Sequence, residues 1–125
     1  MANKFGEAAL IAARLEVPVT VTAAQRWETA VRQLYPEKPY LQKKTAPRGA
    51  FLGLCDKGLV KGVAAGEGGG SDKHGAYAVQ AVELLRAGTH RTVTALWSAV
   101  TEGDESAHNA QIDVVLALWK NGLIV

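Results

Sequence analysis

The chain has 125 residues, the common size of one domain, and its 48% apolar and 21% charged residues are ordinary for a globular protein. No apolar run reaches the ~18 residues that a membrane span needs. The single cysteine, Cys55, excludes an internal disulfide and makes a reducing, cytoplasmic setting the default. The formal charge of +2 hides an uneven distribution. Residues 26–61 carry eight basic and three acidic side chains, and residues 62–125 carry four and seven. Two solvated surfaces explain this as readily as a binding face does. The first residues lack the basic-then-apolar pattern of a secretion signal.

A first helix is expected from about Lys4 to Leu15, with Asn3 as its cap and Ala8, Ala9, Ile11, Ala12 and Leu15 as an apolar stripe. Pro18 and its β-branched neighbours end it. A second helix opens at Thr22, where Gln25 three residues on completes a capping-box pattern. Trp27, Ala30, Val31 and Leu34 face inward and Pro36 stops it. Residues 35–44 read as a proline- and lysine-rich connection. A third helix starts between Thr45 and Pro47 and buries Ala50, Phe51, Leu54 and Cys55, and Gly58 supplies a left-handed stop onto which Leu59 folds back.

The glycine-rich stretch 66–70 reads as a linker. It lacks the Gly-x-x-x-x-Gly-Lys-Ser/Thr spacing of a phosphate loop and the Gly-x-Gly-x-x-Gly of a dinucleotide site. A fourth helix carries Tyr77, Ala78, Ala81, Val82, Leu84 and Leu85 to a stop at Gly88. Thr92 or Thr94 caps a fifth helix, which ends at Gly103. Ser106 caps a sixth, which runs to Asn121 and is stopped by Gly122. Ile112, Val114 to Leu118 and Trp119 leave that last helix almost no polar face, so it is expected at the centre, with the Leu123–Val125 tail packed down.

The halves repeat each other. Lys4, Gly6, Ala9, Ala12 and Leu15 recur 69 positions later as Lys73, Gly75, Ala78, Ala81 and Leu84. Leu52, Leu54, Gly58 and Leu59 recur 64 positions later as Leu116, Leu118, Gly122 and Leu123. Trp27 and Trp97 match as well and are expected to be equivalent core anchors. The expected fold is all-α, a six-helix bundle built from two pseudo-equivalent three-helix repeats in one domain. The boundaries are repeat one 4–63, linker 64–72 and repeat two 73–125.

No metal or cofactor is expected. His74, His90 and His108 form no paired-ligand spacing, and Cys55 sits on an apolar face as a small hydrophobe. The segment from Phe51 to Lys61 is similar to the end of a recognition helix and the start of a wing in winged helix-turn-helix proteins. That likeness makes Lys43, Lys44, Arg48, Lys57 and Lys61 candidate nucleic-acid contacts. The polar residues His108, Asn109, Gln111 and Asp113, at the entrance of the most apolar helix, form a second candidate site. Capping and inter-helix hydrogen bonds account for them equally well.

The strings from Arg48 to Cys55, Gly58 to Gly62 and His108 to Trp119 resemble those of a small bacterial domain family of unknown function. The resemblance covers nearly the whole chain and implies a soluble bacterial protein without an assigned activity. The expected function is a non-enzymatic helical binding or interaction module, with no membrane and a partner left unknown, a protein or a nucleic acid being the candidates. The alternatives are a DNA-binding regulator using residues 45–75 and an enzyme with a pocket at His108 to Asp113.

Overall fold

The computed structural model describes residues 4–18, 20–63, 65, 73–101 and 110–125. Among them are seven helices and no strand: α1 (Phe5–Arg14), α2 (Ala23–Leu34), α3 (Pro39–Gln42), α4 (Thr45–Asp56), α5 (Lys73–Ala87), α6 (Val93–Val100) and α7 (Gln111–Lys120). The fold is all-α, as the apolar spacing predicts.

Local chemistry sets several of the helix ends. Thr22 Oγ1 accepts the Gln25 backbone N–H at 3.1 Å and Gln25 Oε1 accepts that of Thr22 at 2.9 Å, so the capping box at α2 forms as the spacing requires. Thr92, not Thr94, caps α6 by accepting from the Ala95 N–H. Gly58 and Gly122 adopt left-handed backbone at φ 69° and 71°. The next residues turn back to donate from Leu59 to Leu54 O and from Leu123 to Leu118 O, which satisfies carbonyls the helices leave open.

Three expectations need correction. Residues 39–42 are not plain connection but one helical turn, because Pro39 at its start supplies the required φ without needing an N–H partner. The last helix begins only at Gln111, where Ala110 holds φ 73°, a left-handed value no sequence rule assigns to alanine. The residues proposed as caps or stops at Asn3, Gly103 and Ser106, and the glycine stretch 66–70, lie outside the described residues. Finally, α7 does not hold the centre alone. Every residue of α4 from Gly49 to Cys55 is buried, and α4 and α7 pack on each other.

Around this central pair, α1 lies on α7 and α5 on both α4 and α7. Helix α2 packs on α1 and α4, and α6 on α5 and α7. Small residues permit the closest approaches: a Cβ added at Gly6 would sit 3.1 Å from Ala117 Cβ, and one at Gly53 only 2.3 Å from Gly75 Cα. The chain's end is tied down as expected. Val60 and Ile124 form an isolated antiparallel bridge, flanked by Lys61 N–H to Leu123 O at 2.8 Å and Val125 N–H to Leu59 O at 2.9 Å.

The tryptophans differ in depth. Trp27 is fully buried between Phe5 and Phe51, with ring centroids 6.4 and 5.4 Å away. Trp97 is half-buried, edge-on to Tyr77 at 5.3 Å. Helix α6 is short and packs on α5 and α7 among the described helices.

Candidate ligand cleft

The turn after α2 folds the chain into a cleft. The Gln42 amide donates to Tyr35 O at 2.6 Å, which draws α3 back against the end of α2 and leaves Lys43 and Lys44 to open α4. The resulting cleft, about 360 Å³, is lined by Glu28, Val31 and Arg32 of α2, by Gln42 and Lys43, and by Thr45 and Arg48 of α4. Three basic side chains and one carboxylate thus share the lining, over a floor that includes the buried Val31. The lining is rich in donors: two guanidinium groups, an ammonium and the Thr45 hydroxyl. Such an arrangement attracts an anion that brings several acceptor oxygens.

The five basic residues singled out in sequence do not form one surface. Lys43 and Arg48 enter the cleft, and Lys44 is the N-cap residue of α4 outside its lining. Lys57 caps the other end of α4, about 18 Å away for a helix of that length. It lines a separate groove of about 450 Å³ with Gly53, Gly75, Ala76, Val79, Gln80 and Glu83. Lys61 is exposed, and its backbone is used in the pairing with Leu123. The chain leaving α4, read as the start of a wing, therefore pairs with the C-terminal residues.

Of the polar candidates near α7, His108 and Asn109 lie outside the described residues. Gln111 is 2% exposed and its Nε2 lies 3.0 Å from His74 Nδ1, a half-buried link from α7 to the first turn of α5. Asp113 is half-buried, and its backbone carbonyl faces Gly6 across the α1–α7 contact. Among the described residues no group of three His, Cys, Asp or Glu side chains is placed to hold a metal ion.

Glu28 and Arg32 escaped the sequence reading, because a charged residue on the outer face of a helix looks like any solvated one. The return of α3 and the packing of α2 on α4 bring them beside Lys43, Thr45 and Arg48.

Cys55 is buried, as its apolar position predicts. Burial pushes its thiol up from 9.0 to about 12, against the lowering influence of the nearby Arg26 charge, while Asp56 adds to the rise. The folded chain therefore keeps a proton that the unfolded chain loses above pH ~9. Stability from this group is complete below that pH and is lost as pH climbs toward 12. Urea midpoints of the wild type should fall faster than those of Cys55→Ala between pH ~9 and ~11. Parallel curves would show that the thiol is not shielded.

The geometry defines an all-α domain with a cationic cleft at one end of a central helix, and no described helix is long and apolar enough to cross a membrane. Residues 2–125 match the model of DUF6979, a family of unknown function, and the chain belongs to that family. No curated protein and no solved structure matches it.

Proposed function

We propose that this chain is a non-enzymatic, internally duplicated helical module that binds an anionic ligand in the cleft between α2, α3 and α4. The convergence of Arg32, Lys43 and Arg48 on one concave surface carries the reading. Arg32 and Lys43 are exposed and Arg48 is half-buried, and an anion placed among them would offset their mutual repulsion.

Two further observations support the duplicated frame. The offsets of the sequence match, 69 from Gly6 to Gly75 and 64 from Gly53 to Ala117, carry the close Gly6–Ala117 contact onto the close Gly75–Gly53 contact. The bridge joins Val60 to Ile124, also 64 apart, just beyond the matching helix ends. One domain with repeats 4–63 and 73–125 fits these contacts, and the buried, unpaired Cys55 thiol suits a cytoplasmic setting.

The test is an NMR titration with inorganic pyrophosphate at low salt. Shifts should concentrate at Arg32, Lys43, Thr45 and Arg48, and the double variant Arg32→Gln/Arg48→Gln should weaken binding at least ~10-fold while keeping the melting temperature. Uniformly small shifts at millimolar pyrophosphate would rule the cleft out.

A further inference from the structure

We infer that this chain pairs with a second copy of itself by exchanging halves, residues 4–63 of each copy packing on residues 73–125 of the other. The surface it uses is the one that joins the two halves within a single chain. Exchange of an identical element is a low-cost route to a dimer, because the dimer makes the contacts that the monomer already makes. It needs only those contacts, and stands apart from the anion-binding reading and from the repeat.

Much of the core is made between the halves. Helix α1 seats on α7, α5 seats on α4, and α4 and α7 pack on each other. The two glycine crossings, where a Cβ at Gly6 would meet Ala117 and one at Gly53 would meet Gly75, both join one half to the other. So do the Val60–Ile124 bridge and its two flanking hydrogen bonds. Gly49 to Cys55 of α4 are all buried, and α4 packs on α5 and α7 of the second half as well as on α2. A half of about 60 residues buries too little surface to be secure alone, so it takes a complementary half from whichever copy supplies one. Charge favours the unlike pairing. Residues 4–63 carry ten basic and five acidic side chains, and residues 73–125 carry four and five. Two first halves therefore repel each other, whereas a first and a second half attract weakly.

The length of the joint sets the balance between the two forms. Seven residues separate Ala65 from Lys73, enough to span at most about 28 Å. The points to be joined are close. A Cβ at Gly58 would lie 3.1 Å from Ala65 Cβ, and Gly75, two residues past Lys73, meets Gly53. Gly53 lies roughly 7.5 Å back along α4 from Gly58. One chain can therefore pair its own halves, at an effective concentration on the order of mM for a short joint. The monomer prevails well below that concentration, and the exchanged dimer competes as it is approached. Removing residues 66–70 would leave two residues and a reach of about 10 Å, for a path that must both return along α4 and cross to α5.

The test compares the full chain with a variant lacking residues 66–70, by light scattering and NMR. At ~10 µM the wild type should be monomeric and the shortened chain dimeric, and wild type refolded from urea at ~1 mM should give a dimer fraction of at least ~20%. Both dimers should keep the wild-type amide spectrum outside residues 60–75. In samples of mixed isotope labelling, an intermolecular NOE should join Gly6 to Ala117, which association through an outer surface could not produce. A shortened chain that is monomeric with the wild-type spectrum would overturn the proposal. A dimer whose Gly6–Ala117 NOE stays within each copy would overturn it in favour of a surface contact. A shortened chain that fails to fold, beside a wild type still monomeric after refolding at ~1 mM, would overturn it as well.

Discussion

Gly53→Ala should lower the melting temperature by ~10 °C or more, a cost of roughly 3 kcal/mol in a domain of this size. Alanine ordinarily stabilises a helix interior by up to about 1 kcal/mol relative to glycine, so the expected sign is opposite to the one local propensity gives. The reason is the α4–α5 crossing. The new methyl carbon would sit 2.3 Å from Gly75 Cα, 2.9 Å from its carbonyl carbon and 3.1 Å from its oxygen. All three are backbone atoms, so no side chain can rotate aside and α5 itself must move. Gly6→Ala is the internal comparison. Its methyl would meet Ala117 Cβ and Asp113 O at 3.1 Å, contacts that a shift of a few tenths of an ångström relieves, and its effect should be much smaller. Thermal melts of the two variants decide the matter, and a Gly53→Ala protein as stable as the wild type would mean that α4 and α5 do not approach this closely.

The second large effect is expected at Arg26. This side chain is 5% exposed, and its Nη1 donates to Ala12 O at 3.0 Å and Leu15 O at 3.2 Å. These carbonyls lie at the end of α1, where a helix has acceptors without internal partners and a negative dipole end. Arg26→Met retains the apolar stem but withdraws the donor and the charge. Leaving buried carbonyls unsatisfied costs about 1–3 kcal/mol each, less for the more accessible Leu15, so a total loss of ~2–4 kcal/mol is expected in urea unfolding. Arg26→Lys should recover part of it, since one ammonium can reach one carbonyl. A Met variant with an unchanged urea midpoint would show that water replaces the guanidinium at no cost.

What the sequence discloses here is the short-range chemistry. Thr22 and Gln25 need only each other to cap α2, and Gly58 and Gly122 stop their helices because the left-handed turn excludes most other residues. What it conceals depends on distant partners. Ala110 takes a left-handed backbone although nothing in its own side chain asks for one. Arg26 counts as one more cation in a basic segment until its depth beneath α1 is seen. The shared offsets of Gly6 with Gly75 and Gly53 with Ala117 are visible in the string of letters, but not that Gly6 would face Ala117 and Gly53 would face Gly75. The cleft divides the same way. Lys43 and Arg48 stand out as a basic run, whereas Arg32 joins them through the packing of α2 on α4 and the Gln42–Tyr35 hydrogen bond.

The seating of α1 on α7 has a consequence for biosynthesis. The surface that α7 presents to Gly6 does not exist until residues 111–120 have been translated. During elongation α1 must therefore wait for that partner, although α2 is made soon after it. Closure of the hydrophobic interior is a late, long-range event in which Gly6 docks onto a residue made more than a hundred peptide bonds later.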